Sequence, residues 1–140
     1  MGKGTGRANS RKVRGPLAAL WCFSLVGCAW TRPSRMITLD QSANGTEISL
    51  SRGQQMELAL PENPTTGFRW EFVQTGAPIL AAEGSTFEAP QGAPGKGGIR
   101  HWRFHAARAG SGSLELAYRR SFEPAKPPSQ TFLVHLRVAN

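Results

Sequence analysis

A chain of 140 residues, 39% of them hydrophobic, has room for one domain with a buried core and is short for two. Its formal charge of +8 invites a nucleic-acid reading, but Lys3, Arg7, Arg11, Lys12 and Arg14 all fall in the first fifteen positions. From Ala29 onward twelve Lys and Arg stand against nine Asp and Glu, dispersed along the chain, which excludes a phosphate-binding stripe and gives no nucleic-acid partner.

The basic start leads into the apolar run "PLAALWCFSLVG", Pro16 to Gly27. Those twelve residues fall short of the roughly 20 that span a bilayer, so the segment reads as an export signal. It ends in "LVGC", Leu25 to Cys28, which resembles the lipobox of bacterial lipoproteins, whose cysteine is lipidated and becomes the first mature residue. That resemblance implies a signal peptide over 1–27, a lipid on Cys28 and a short tether over 28–35. It also implies a place in the bacterial cell envelope, bound to membrane through Cys28. Ala29 lacks the aspartate that retains lipoproteins in the inner membrane of enteric bacteria, which favours the outer one. Gly6 rules out a myristoylation signal. Cys22 would be discarded with the signal, leaving no disulfide, so the fold must be held by its core.

Beyond the tether, apolar residues recur at every second position. Ile37 and Leu39 open the series, followed by Ile48 and Leu50, then Met56, Leu58 and Leu60, then Trp70 and Phe72. It resumes with Trp102, Phe104 and Ala106, with Leu114, Leu116 and Tyr118, and with Phe132, Val134, Leu136 and Val138. Period two marks half-buried strands. Asn44-Gly45 suits a type I′ turn and predicts a hairpin over 36–50. "ILAAEGSTFEA" breaks the alternation and is read as one short strand at most. No segment carries a helical stripe. The prediction is an all-β, immunoglobulin-like sandwich of seven or eight antiparallel strands over 36–140, a monomer.

If successive strands run back and forth, alternate connections share an end. The loops 61–68, 89–99 and 120–130 then cluster, opposite the plainer turns near 75–78 and 108–112. Each of the three is stiffened. In "NPTTGF" Pro64 fixes its own φ and biases Asn63 toward an extended backbone, while Gly67 permits a sharp turn, leaving Thr65 and Thr66 at the tip and Phe68 as loop anchor or contact. "PGKGG" offers bare backbone at Gly95, Gly97 and Gly98, and prolines restrict the loop after Arg120 and Phe122. Pre-organised loops lose less entropy on meeting a rigid partner.

Other chemistries fail on spacing. "GKGG" lacks the Ser or Thr that a phosphate loop needs after Lys96, and Arg100 stands where a dinucleotide fingerprint needs glycine. His101 and His105 lie about 13 Å apart along a strand, too far to share an ion, and with His135 are read as solvent-facing. No metal or cofactor is expected, and no nucleophile–base pair marks an enzyme. Trp70, Trp102 and Phe104 are read as core, Arg119 and Arg137 as solvated strand residues. Asn44-Gly45-Thr46 is formally a glycosylation sequon but fits a turn better.

"NPTTGFRW", "GKGGIRHWRF" and "YRRSFE", in that order, resemble the three signature loops of the chagasin-like inhibitors of papain-family cysteine peptidases. The first matches closely. The third departs, with Arg120-Ser121-Phe122 where the family has Arg-Pro-Trp, which removes a φ constraint and some apolar area. The resemblance implies a reversible protein inhibitor that occludes the peptidase cleft. Asn63, Pro64, Thr65, Thr66, Gly67 and Phe68 would cover the catalytic cysteine. Gly95, Gly97, Gly98 and Ile99 would follow the non-primed sites, and Arg120 and Phe122 the primed side. The alternative is a binding module of the same fold retargeted to another protein or a glycan.

Overall fold

The computed structural model describes Gly2 and residues 35–92 and 95–140. The expected signal peptide, Cys28 and the tether up to residue 34 lie outside the described residues. Eight strands follow: β1 (Ile37–Leu39), β2 (Glu47–Ser51), β3 (Gln55–Glu62), β4 (Phe68–Thr75), β5 (Leu80–Glu88), β6 (Gly98–Ala106), β7 (Gly110–Arg120) and β8 (Gln130–Ala139). They form two four-stranded sheets, in the orders β1-β3-β6-β5 and β2-β8-β7-β4. The described residues hold no α-helix, only 3-10 turns at Gln41–Ala43 and Pro64–Thr66. The immunoglobulin-like sandwich is therefore present, with all its strands inside residues 37–139.

Alternation builds the core. Met56, Leu58 and Leu60 of β3, Leu114 and Leu116 of β7, and Phe132 and Val134 of β8 are fully buried between the sheets, joined by Phe104 and, nearly so, by Trp70 and Trp102. Burying each such side chain contributes about 1.5–3 kcal/mol, with no disulfide needed among the described residues. Phe72 shares the inward parity of Trp70, yet is 41% exposed. It sits on edge strand β4 where the register slips between Phe72 and Gln74, and meets Trp102 and Phe104 only edge-on.

Three strand expectations need correction. Residues 36–50 are not a hairpin: β1 pairs in parallel with β3 and β2 in parallel with β8, so these two contacts depart from an all-antiparallel sandwich. A type I′ turn needs positive φ at both central residues, but Asn44 has φ −58° and only Gly45 (φ +79°) is left-handed, which is type II geometry. The asparagine serves another strand, since Asn44 Oδ1 accepts from Leu133 N at 2.8 Å while Gly45 N donates to Leu133 O at 2.7 Å. The segment thus carries the chain from one sheet to the other. Finally, "ILAAEGSTFEA" contains a full nine-residue strand, β5, paired along its length with β6. A bulge between Ala82 and Gly84 shifts its register and erases the alternation that would have revealed it.

Connections β3–β4, β5–β6 and β7–β8 share one end of the sandwich. The turns β2–β3, β4–β5 and β6–β7 share the other, tied by Gly53 N to Ala106 O (2.7 Å) and Ala107 N to Ile79 O (2.7 Å).

Candidate functional site

The first loop is a capped 3-10 turn. Asn63 Oδ1 accepts from Thr65 N at 3.2 Å and from the Thr65 hydroxyl at 2.6 Å, Pro64 occupies the first turn position, and Gly67 closes it with φ +79°. The Thr66 hydroxyl donates to Asn63 O at 2.7 Å. Both threonine protons are thus used within the loop, which leaves oxygen lone pairs and methyl groups for a partner. Asn63 N donates to the Tyr118 hydroxyl at 3.0 Å, so β7 holds the base of the loop as well.

Beneath it lies Glu62, the single charged side chain that is buried among the described residues, at 3% exposure. Its Oε1 accepts from Arg100 Nη2 (2.8 Å) and Nε (3.2 Å), and its Oε2 from Trp70 N (3.4 Å). Trp70 Nε1 in turn donates to Pro61 O at 2.9 Å. The sequence reading missed this pair, although the signal was present. Met56, Leu58 and Leu60 point inward, so Glu62 must too, and Arg100 shares the inward parity of Trp102 and Phe104.

The glycine loop lies against the first. A Cβ on Gly97 would stand 3.1 Å from Glu62 O and 3.2 Å from Asn63 Cβ, and one on Gly98 would collide with the Glu88 carbonyl. Gly95 O lies 3.4 Å from the Thr65 hydroxyl. Ile99, paired with Pro61, is 43% exposed beside it.

Arg120 joins the third loop to the first. Its Nε donates to Thr66 O at 3.3 Å, and its guanidinium lies 4.7 Å from the Phe68 ring centre and 5.9 Å from that of Phe122. Phe68 is the anchor of its loop: it stacks on Tyr118 at 5.3 Å, and Tyr118 meets Trp70 at 5.0 Å. The result is one file of rings and guanidinium from the core to Phe122, which is 69% exposed. Where the resemblance leads one to expect proline, the Ser121 hydroxyl donates to Glu71 Oε1 at 2.7 Å, which ties the loop to β4. Glu123 faces Lys126 at 2.7 Å and Arg120 at 3.4 Å; the Lys126 hydrogen bond first, then Arg120, holds its carboxyl below the usual range.

Asn63 to Phe68, Gly95, Gly97, Gly98, Ile99, Arg120 and Phe122 thus all come to one end. The histidines do not. His101 is not simply solvent-facing: its Nδ1 lies 3.1 Å from Glu57 Oε1, and its Nε2 sits 3.4 Å from Glu88 Oε2 without hydrogen-bond geometry. His105 faces Glu83 at 3.1 Å and His135 the Ser113 hydroxyl at 3.2 Å. Arg119 and Arg137 each face a carboxylate, Glu71 and Glu47.

The first loop is bonded to the second through Thr65 and Gly95 and to the third through Thr66 and Arg120, so the chain is of the class of β-sandwiches that gather three loops into one edge. Residues 49–136 match the family described as chagasin family peptidase inhibitor I42. The chain belongs to that family, and is an inhibitor of cysteine peptidases rather than an enzyme. It is 29% identical to chagasin of Trypanosoma cruzi over 100 residues, covering 68% of this chain and 91% of chagasin. It is 30% identical to amoebiasin-1 of Entamoeba histolytica over 109 residues, covering 73% of this chain and 99% of that protein. The crystal structure of the cysteine protease inhibitor EhICP2 from Entamoeba histolytica shares the fold with a TM-score of 0.68 at 19% identity, over 74% of this chain and 96% of that one.

Proposed function

We propose that the three-loop edge is the peptidase-binding surface and that its target is of the papain type. The first loop, with Thr65, Thr66 and Phe68, covers the catalytic cysteine. Gly95 to Ile99 follow the non-primed sites, and Arg120 with Phe122 reach the primed side. Threonine oxygens and loop backbone can fill hydrogen-bonding positions of the cleft without presenting a scissile bond in attack geometry, so the complex is reversible. Three such loops can supply an interface of about 800 Å² per partner. The observation that carries this reading is the 3.3 Å bond from Arg120 Nε to Thr66 O, which ties two separate loops together at one edge. Residues 29–140 contain the whole sandwich, and titrating papain with that protein tests the reading. Stoichiometric loss of activity is expected, and an undiminished rate at micromolar inhibitor would sink it.

We propose separately that the protein lies in the bacterial cell envelope, at the outer membrane, held by a lipid on Cys28 after removal of residues 1–27. It is supported by the succession of basic residues, apolar run and "LVGC". Labelled palmitate should be incorporated into the full chain and not into Cys28→Ser; a full chain that takes up no acyl label rejects the anchor.

A further inference from the structure

The chain enters the sandwich at the end opposite the loops. Arg35 O accepts from Gln54 Nε2 at 2.9 Å, in the β2–β3 turn. From there β3 runs eight residues, about 25 Å at the usual rise per residue, before the first inhibitory loop begins. The far end also has a charge character of its own. Arg52 lies in the β2–β3 turn and Arg108 in the β6–β7 turn, and the two turns are bonded through Gly53 N to Ala106 O (2.7 Å) and Ala106 N to Gln54 O (2.9 Å). Arg35, Arg52 and Arg108 are all exposed. Among the described residues none of the three has an ion-pair partner; at the loop end Arg69 and Lys96 also have none, but there Arg100, Arg119 and Arg120 face the carboxylates of Glu62, Glu71 and Glu123. The three turns at this end, 51–55, 76–79 and 107–109, contain no Asp or Glu.

We propose that this end is a membrane-facing surface that takes anionic phospholipid headgroups on Arg35, Arg52 and Arg108, and so holds the inhibitory loops toward the aqueous side. Its place in the cell rests on the lipid-anchor reading of Cys28. Residues 29–34 between that cysteine and Arg35 reach at most about 20 Å, so the anchor keeps the arginines within reach of the bilayer, and it is their attraction to headgroups that would turn the loops away from it. Basic residues at a membrane surface add to a lipid anchor, and their attraction fades with salt. The geometry gives the inhibitor a defined client: a peptidase approaching from solution, met by loops that anchoring leaves free.

Unlipidated residues 29–140 and vesicles of phosphatidylcholine with or without phosphatidylglycerol separate these claims. Binding to phosphatidylglycerol vesicles at low salt should fall roughly fivefold for Arg52→Gln and again for Arg108→Gln. Lys126→Gln, which removes one charge at the loop end, should change it far less, and neutral vesicles should bind little. Vesicle-bound protein should inhibit papain as well as free protein does. Equal binding by the arginine variants, an equal effect of Lys126→Gln, or inhibition that vanishes on vesicles while persisting in solution would each overturn the proposal. Absence of inhibition in solution would instead reject the peptidase-binding reading, and a full chain that takes up no acyl label the anchor.

Discussion

Glu62 and Arg100 form an ion pair directly under the junction of the first two loops, with Arg100 Nε and Nη2 both donating to Glu62 Oε1 and the Glu62 side chain 2% exposed. The pair joins β3 to β6 at the level where the loops begin, and Trp70 N adds a third strand to it. A buried ion pair that loses one partner leaves the other group unpaired, which is costly, while an apolar replacement of both partners can be nearly neutral. Glu62→Ala should therefore cost about 2–4 kcal/mol in urea denaturation and weaken peptidase inhibition with it. Glu62→Leu combined with Arg100→Met should recover much of the stability but not all the inhibition, because Trp70 N stays unpaired. Full recovery of both would show that the pair does not position the loops.

Thr66 tests the tip separately from the frame. Its hydroxyl makes one exposed bond to Asn63 O, so Thr66→Ala should cost less than about 1 kcal/mol of stability. Inhibition constants should rise clearly, since the residue lies at the apex of the wedge. Asn63→Ala differs, because its Oδ1 caps the whole turn, and should lower stability by about 1 kcal/mol as well as inhibition. If inhibition by Thr66→Ala matches that of the parent protein, the first loop is not the wedge.

The glycines of the second loop should rank by what surrounds them. Gly98 has no space for a Cβ, so Gly98→Ala must push β5 from β6 at the loop and should cost about 2–3 kcal/mol. Gly95 has open space but φ +86°, so Gly95→Ala meets only backbone strain of about 1–2 kcal/mol. Thermal unfolding of the two variants checks the order; the reverse order would contradict this packing of the loop.

Phe122 bears on the departure from the family pattern in the third loop. The ring is 69% exposed yet covers Arg120, so Phe122→Ala should leave stability within about 0.5 kcal/mol and weaken inhibition at least tenfold. Phe122→Trp should tighten binding through its larger apolar face. Ser121→Pro is a harder exchange, because it restores a fixed φ but removes the 2.7 Å bond to Glu71. Unchanged inhibition by Phe122→Ala would move the contact surface off this loop.

Strand alternation made seven of the eight strands legible, because period two reports burial directly and a sandwich interior is filled by it. It failed at β5, where the bulge near Gly84 inverts the parity halfway along the strand. Asn44-Gly45 misled for a different reason. The preference of that dipeptide for a hairpin turn is local, whereas the backbone here answers to Leu133, far away in sequence. The loops were readable because their stiffening residues are themselves in the sequence, and the parity of their connections put them at one end. Contacts such as Arg120 to Thr66, or Ser121 to Glu71, join residues about 50 apart, and no spacing rule reports them.

Acid should loosen the molecule from two places at once. Glu57 accepts from Arg103 Nε at 3.1 Å, which, ahead of its contact with His101, holds its carboxyl below the ordinary value of 4.5, and Lys126 does the same for Glu123. A carboxyl whose pKa is lowered by folding contributes its stability in full above the unfolded value and loses it as pH falls through the folded one. Neither group therefore changes stability between neutral pH and about pH 5, and both erode it as pH falls below that toward their lowered folded-state values. Urea denaturation across that interval should show a falling acid limb, shallower in Glu57→Gln because that variant has no such proton to take up. Glu123→Gln should blunt the loss of inhibition over the same interval, since Glu123 steadies Arg120 against Thr66. An acid limb of unchanged slope in Glu57→Gln would mean that other carboxylates carry the effect.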